Sequence, residues 1–157
     1  MLDNSKKKSL SLLGIPLVSC IEWVTLPDCS ISVLARLDTG SKTSSLHGID
    51  LEEIVRDSVK MIRFKTNQCK GDPMVTCEAK FVRYARIKVA SQDGKSERRP
   101  VVETIMSLGK SIYKIELNLT NREEMDYRML VGREALRDRF LVLASEDCEC
   151  LQGEPNS

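Results

Sequence analysis

The sequence predicts a mainly β protein that folds as one small closed barrel with a single short helix. Three observations predict this fold class. Apolar side chains recur at every second position in several segments. Turn signals such as Pro27-Asp28, Asp93-Gly94 and Gly109-Lys110 separate these segments. Helical periodicity is scarce, and many short strands with few helices are typical of a barrel.

Seven strands are predicted, with two short helical pieces between them. The helical pieces are a turn or two over 51–56 and a short helix over 133–138, directly after Gly132. Asp93-Gly94 is the clearest hairpin signal and places a hairpin over 91–100. The predicted strands are 21–26, 31–37, 59–66, 80–91, 100–108, 112–119 and 139–144.

The chain of 157 residues has the length of one domain. We assign residues 20–144 to this domain, 1–19 to an N-terminal extension and 145–157 to a flexible polar tail. Twenty-four basic and 23 acidic residues give a net charge of +1, so we expect neither nucleic acid nor a membrane as a partner. No segment is apolar over the length that a membrane-spanning helix requires.

Six cysteines are spaced irregularly and contain no Cys-x-x-Cys pair. We expect reduced thiols and a cytoplasmic protein. Two alternatives remain open. The N-terminal KKKSLSLLGIPLVSC is similar to a secretory or lipoprotein signal, which would give a secreted or lipid-anchored form. A zinc site made of four thiolates, Cys69, Cys77, Cys148 and Cys150, is the other.

The segment ARLDTGSKTSSLHG, residues 35–48, contains the motif Asp38-Thr39-Gly40. The apolar run before it predicts that the Asp38 carboxylate emerges at the end of a buried strand. Gly40 permits a tight turn, and the Thr39 hydroxyl can hydrogen-bond to the backbone of that turn. A turn-forming or helix-capping aspartate is the alternative interpretation.

The segment MLVGREAL, residues 129–136, makes the motif more specific. The pairing of the two segments resembles a subunit of a retropepsin-type aspartic protease. With EWVTLPD and RRPVVET, the chain resembles over residues 20–144 a bacterial family labelled "ATP-dependent zinc protease". Some members of that family accompany the ligase that adds glutamates to a ribosomal protein.

The resemblance implies an acid protease barrel that acts as a homodimeric aspartic endopeptidase. The chain has one Asp-Thr-Gly, so Asp38, Thr39 and Gly40 would form half of a site whose other half belongs to a second copy. Two carboxylates at such an axis share one proton and activate water. We therefore expect no cofactor and no metal, since His47 is the only histidine and no phosphate-binding loop occurs.

The resemblance also indicates substrate-binding candidates. Retropepsins carry an acid four residues after the catalytic aspartate, paired with the arginine of Gly-Arg. Here that position is Lys42, so Lys42 and Arg133 are expected as two cations near the cleft. The 91–100 hairpin would be the flap. The candidates are Lys42, Thr43, Ser44, His47, Arg98, Arg99 and Arg133.

These cations predict an acidic peptide or a glutamylated protein as the substrate. The alternatives are a solvated basic hairpin, a structural role for His47 and a structural fork or dimer contact for Arg133. For the whole chain, the alternatives are an inactive module that binds acidic peptides and a metal-dependent peptidase.

Overall fold

The computed structural model describes residues 14–89 and 93–144. Most of the predicted N-terminal extension, the whole tail at 145–157 and residues 91–92 of the predicted flap lie outside the described residues. Within the described part, no helix is long and apolar enough to cross a lipid bilayer.

Strands dominate the described residues, with one 3-10 turn at Pro27–Cys29 and one short α-helix, α1, at Arg133–Leu136. The strands are β1 Leu17–Ser19, β2 Ile21–Leu26, β3 Ile31–Asp38, β4 Ser44–His47, β5 Ile49–Arg56, β6 Val59–Thr66, β7 Val75–Lys88, β8 Ser96–Leu108, β9 Ser111–Thr120, β10 Met129–Gly132 and β11 Leu141–Leu143.

Six of these strands close into a mixed barrel, in the order β2-β3-β10-β4-β9-β8. The pairing of Thr25 with Ser107 joins β2 to β8 and completes the circle. The β3–β10 and β4–β9 pairs are parallel, and the others are antiparallel. One apolar core fills the barrel and includes Val24, Val33, Val102, Met106, Leu117 and Val131. The predicted closed β-barrel with one short helix is confirmed.

Strands β8, β7, β6 and β5 continue from the barrel as an antiparallel sheet. The helical prediction over 51–56 is wrong, because these residues belong to β5. Most side chains of this edge strand are exposed, so the sequence lacks the alternation that identifies a half-buried strand. The turn from β5 to β6 uses Asp57 and Ser58, which have φ values of 49° and 64° without a glycine.

The other predicted strands agree with the structure apart from their ends. Residues 21–26 and 59–66 coincide with β2 and β6, whereas β7 begins at Val75, five residues before the predicted 80. Three short strands, β1, β4 and β10, were not predicted. Strand β1 pairs in parallel with β11, which extends the folded part ahead of residue 20. The helix α1 ends at Leu136 rather than 138.

Cys29 and Cys77 form a disulfide, with their Cα atoms 5.0 Å apart. The bond attaches the 3-10 turn to β7 across 48 residues of sequence. The expectation of reduced thiols is therefore wrong for this pair. It also removes Cys77 from the alternative four-thiolate zinc site, because a disulfide sulfur is not a thiolate.

Candidate active site

Asp38 is the last residue of β3 and Gly132 is the last residue of β10, and the two pair in the parallel register. Buried and less buried side chains alternate along β3, which keeps Leu37 in the core and leaves Asp38 half-buried at the end of the barrel. The strand is fixed further by the Leu37 amide, which donates to the Cys20 carbonyl at 2.8 Å. The sequence therefore places a carboxylate at the mouth of a packed core.

The Asp38 carboxylate accepts two hydrogen bonds from its own loop. Its Oδ1 accepts from the Gly40 amide at 2.9 Å, and its Oδ2 accepts from the Ser41 hydroxyl at 3.1 Å. The Ser41 amide closes the turn by donating to the Asp38 carbonyl at 3.2 Å. These bonds fix the plane of the carboxylate. Ser41 is not among the candidates that the sequence indicated, because no local pattern shows that its hydroxyl reaches Asp38.

The segment 39–43, which follows Asp38 and forms the motif loop, approaches β10 closely because residue 132 is a glycine. A Cβ atom at position 132 would lie 2.6 Å from the Thr43 carbonyl carbon and 2.9 Å from the Thr43 nitrogen. Only glycine fits at such a distance. The Gly132 amide donates to the Ser44 hydroxyl at 3.0 Å, which gives Ser44 a structural contact inside the site.

Two further backbone bonds join the motif loop to the start of α1. The Arg133 amide donates to the Ser41 carbonyl at 2.8 Å, and the Glu134 amide donates to the Lys42 carbonyl at 3.2 Å. The Asp-Thr-Gly loop and the Gly-Arg segment, 90 or more residues apart in sequence, therefore form one rigid unit. This is the juxtaposition that the resemblance implied.

Lys42 and Arg133, the two basic residues beside this loop, each contact another group of the protein. The Lys42 Nζ lies 3.8 Å from the Glu134 Oε1, with both side chains more than half exposed. The Arg133 guanidinium donates to the Gly40 carbonyl at 3.2 Å. Lys42 is thus paired with an acid, contrary to expectation, and Arg133 makes the backbone contact of a structural fork.

His47 is completely buried at the end of β4. Its Nδ1 accepts from the Arg122 amide at 2.9 Å, and its Nε2 lies 3.4 Å from the Glu123 carboxylate. Burial lowers the pKa of His47 below its ordinary value, and the nearby Arg128 lowers the pKa further. These contacts are those of a structural histidine, not of a group that meets substrate.

Arg98 and Arg99 point to opposite faces of β8, since neighbouring strand residues alternate and their pairing with β7 is regular. The Arg98 guanidinium stacks on Tyr84, 3.7 Å from the ring centre. The Arg99 Nη1 instead donates to the Asn118 Oδ1 at 3.0 Å. Only Arg99 of this pair therefore contacts the β4 and β9 side of the hairpin.

Asn118 joins the hairpin to the strand that follows the motif loop. Its Oδ1 also accepts from the Ser45 hydroxyl at 2.6 Å, and its Nδ2 donates to the Ser44 carbonyl at 2.9 Å. Asn118 and Glu116 are not among the candidates that the sequence indicated, yet both side chains line the candidate cleft.

That cleft is a cavity of about 40 Å³ between the motif loop and the hairpin that β7 and β8 form. The Arg83 and Glu116 side chains form an ion pair of 2.7 Å at its edge. Other lining residues include Thr43, Ser44, Ala85, Ile87, Val101 and Glu134. The cavity therefore combines apolar hairpin side chains with two ion pairs, because Lys42 contacts Glu134 on the other side.

The described residues do not fit the zinc in the label of the family that the sequence resembles. Among them, no group of three or more His, Cys, Asp or Glu side chains could hold a metal ion. The Asp38 carboxylate is held by an amide and a hydroxyl, and the His47 Nδ1 is occupied by a backbone amide. The described residues therefore offer no set of ligands for a metal ion.

Comparison with known proteins agrees with this geometry. A family model described as "RimB-like: Retropepsin-like aspartic endopeptidase RimB" matches residues 17–148. A solved protein of unknown function (DUF785) from Legionella pneumophila superposes with a TM-score of 0.69 at 30% identity, covering 82% of this chain and 92% of that one.

Other relatives are described as ligases. Proteins described as "Probable alpha-L-glutamate ligase" are 36% identical over 81% of this chain in Desulfotalea psychrophila and over 80% in Shewanella pealeana. The matched part is 28% of each of these relatives, so the chain spans little more than a quarter of their length.

Proposed function

The chain belongs to the RimB-like family of retropepsin-like aspartic endopeptidases, and on this premise we propose that it hydrolyses peptide bonds as a homodimer. The observation that carries the proposal is the position of Asp38. Its carboxylate emerges at the end of a core strand, beside Gly132, in a loop bonded to the Gly-Arg segment. Such a loop holds the carboxylate in place and leaves it accessible.

A second copy of the chain supplies the second carboxylate. Aspartic hydrolysis needs two carboxyl groups that share one proton, and the sequence contains one Asp-Thr-Gly. A two-fold axis beside Asp38 brings identical loops together, as isologous contacts do. The two carboxyl groups then titrate as a pair rather than singly.

In the reaction the ionised carboxylate takes a proton from water, and the water oxygen attacks the peptide carbonyl. The protonated partner donates its proton to the carbonyl oxygen. The proton taken from water then passes to the leaving amine as the carbon–nitrogen bond breaks. The partner carboxylate takes back a proton from a hydroxyl of the intermediate, which restores the starting pair. The Gly40 amide and the Ser41 hydroxyl keep the Asp38 carboxylate in one plane throughout.

We propose an acidic peptide, such as a glutamate-tailed protein, as the substrate. Arg83 and Lys42 border the cleft, but each already contacts a glutamate. Incoming carboxylates would exchange with Glu116 and Glu134, so that bound substrate replaces internal partners. The relatives described as "Probable alpha-L-glutamate ligase" support glutamate chemistry near this domain.

The test is hydrolysis of an oligoglutamate-tailed peptide, read by mass spectrometry. We expect cleavage by the wild type, loss of at least about a thousandfold in Asp38→Asn, and full activity with a chelator. Activity that survives Asp38→Asn would refute the aspartic mechanism, and loss only with chelator would favour a metal-dependent peptidase. Binding without cleavage would identify an inactive module that holds acidic peptides.

The exchange of carboxylates has its own test. Glu116→Gln leaves Arg83 without its acidic partner, so KM for the oligoglutamate peptide should fall several-fold. Glu124→Gln, an exposed change of the same charge in the loop after β9, is the control. An equal effect of the two variants would show that only net charge matters.

A further inference from the structure

Arg122, which follows the end of β9, is a buried cation without an acidic partner. The residue is only 9% exposed. Within residues 14–89 and 93–144, its side chain makes one hydrogen bond, from Nε to the Tyr127 carbonyl at 3.1 Å. Its two terminal nitrogens have no partner there, yet they are not among the fully buried atoms, so a ligand can reach them. A buried charge is normally paired, because the loss of its hydration is otherwise costly.

A second arginine lies beside Arg122, on the hairpin. The Arg99 side chain is 12% exposed, and its Nη1 donates at 3.0 Å to Asn118, which lines the cleft. Burial lowers the pKa of Arg122, and the positive charge of Arg99 lowers this pKa further. The two guanidinium groups therefore lie close enough to repel each other.

The arginines at this end of the sheet outnumber the acids that pair with them. Glu97 pairs with Arg99 at 3.0 Å, and Glu123 lies 3.6 Å from Arg128. In the described part of the chain no carboxylate pairs with Arg122, so the cluster carries one positive charge in excess. A single additional carboxylate would balance this charge.

Glu97 shows that a carboxylate fits beside these arginines. Its Oε2 accepts from the Arg99 Nε at 3.0 Å, and its Oε1 accepts from the Thr120 hydroxyl at 3.1 Å. The Glu97 side chain is 47% exposed, so it can leave this position without disturbing the core. The position adjoins the cleft, because the Arg99 that binds Glu97 also binds Asn118.

The cluster lies a few residues along the sheet from the catalytic motif. Ser44 accepts from the Gly132 amide at one end of β4, and His47 accepts from the Arg122 amide at the other end. Three residues of a strand span about 10 Å. An extended peptide whose scissile bond lies at Asp38 therefore brings a side chain a few residues away to the arginines.

We propose that Arg99 and Arg122 form a subsite for an acidic side chain of the substrate, and that Glu97 occupies this subsite as an internal competitor until the substrate displaces it. The inference rests on the proposed function for the acidic substrate. The incoming carboxylate takes over the hydrogen bonds of Arg99 and also pairs with the terminal nitrogens of Arg122, which Glu97 leaves without an acid.

The test is binding of a labelled oligoglutamate of about eight residues to the Asp38→Asn protein, so that hydrolysis cannot interfere. Fluorescence anisotropy gives the Kd. Glu97→Gln removes the competing charge, so the Kd should fall about threefold to tenfold. Glu52→Gln is the matched control, because Glu52 is also an exposed acid beside an arginine, 3.4 Å from Arg63, but lies on β5. It should change the Kd by less than about twofold.

Arg122→Gln tests the other half of the subsite. The variant removes the unpaired charge, so the Kd for oligoglutamate should rise about tenfold or more. The glutamine amide can still donate to the Tyr127 carbonyl, so the fold should be retained, which thermal unfolding checks. Arg63→Gln, which removes a partly exposed charge on β6, is the control for net charge. If Arg122→Gln does not fold, Glu97→Gln still decides.

The proposal is overturned if Glu97→Gln and Glu52→Gln change the Kd equally, or if folded Arg122→Gln binds oligoglutamate as the parent protein does. Calorimetric titration with inorganic phosphate separates the anion site from the substrate. Phosphate binding that depends on Arg122, together with no binding of oligoglutamate, would support the anion site and refute the acidic substrate. Binding of neither would refute both.

Discussion

Gly132 lies against the backbone of Thr43 so closely that a Cβ atom at 132 would meet the Thr43 carbonyl carbon at 2.6 Å. This contact joins the Asp-Thr-Gly loop to the end of β10, and the position of Asp38 depends on it. A glycine here is a requirement of packing, since its backbone is not in the left-handed region.

Gly132→Ala should push the two segments apart. The displaced atoms are backbone and cannot move aside, so we expect destabilisation of about 1–3 kcal/mol and loss of activity. Thermal unfolding and peptide hydrolysis measure the two effects. Gly48→Ala is the control, because a Cβ at 48 would meet only side-chain atoms at 3.4 Å or more. Equal behaviour of the two variants would contradict the close packing.

Arg99 and Arg98 should differ in their effect on activity. Arg99→Ala removes a charged hydrogen bond to Asn118, and such bonds contribute about 1.5–3 kcal/mol. The hairpin then loses its attachment beside the cleft, so kcat/KM should fall about tenfold or more. Arg98→Ala removes the stacking on Tyr84, on the face away from Asn118, and should leave kcat/KM within about twofold. A larger loss of kcat/KM in Arg98→Ala than in Arg99→Ala would contradict this, because it would mean that the Arg98 face of the hairpin lies over the site.

His47 should make stability depend on pH. Its pKa is lowered in the folded protein, so as pH falls the unfolded chain binds the proton first. Stability should therefore be constant above about pH 7 and decrease below about 6.5, the ordinary histidine value. Denaturant unfolding between about pH 7.5 and 5.5 measures the slope.

His47→Asn is the control for this slope, because the asparagine carbonyl can accept from the Arg122 amide without titrating. His47 is the only histidine in the chain, so the variant should lose most of the slope in this range. A wild-type slope of zero, or an unchanged slope in the variant, would contradict the lowered pKa.

The Cys29–Cys77 bond should be found by peptide mapping without reductant. Closing a loop of 48 residues stabilises the folded state by about 2–4 kcal/mol, so Cys29→Ser should lower the unfolding free energy by that amount. Cys69→Ser, which changes a free thiol, is the control. Structural disulfides are typical of oxidising compartments and would favour the secreted alternative over a cytoplasmic protein. Alkylation of both thiols in the native protein would refute the bond.

The barrel was predictable because its strands are half-buried. Alternation along Ile115, Leu117 and Leu119 reports the core face directly. Strand β4 was not predictable, since its four residues, Ser44–His47, are all buried and show no alternation. The prediction for the edge strand β5 was wrong for the opposite reason, because most of its side chains are exposed.

The site was predictable in its motif but not in its contacts. Asp38 and Gly132 stand out because backbone geometry restricts the residue types that fit there. The pairing of Lys42 with Glu134 depends on two segments about 90 residues apart meeting in space, which local pattern cannot report. Asn118 and Glu116 were hidden for a related reason: polar alternation identifies a face, but not what lies opposite that face.

The central claim is that one active site needs Asp38 from two chains, and subunit mixing tests it most directly. Wild-type and Asp38→Asn protein are combined in equal amounts, allowed to exchange subunits, and assayed for peptide hydrolysis at constant total concentration. If each site uses two Asp38 carboxylates, only pairs of wild-type chains are active, and activity should fall to about a quarter of the wild-type value. Activity of about one half would mean that each chain works alone, and would contradict the account.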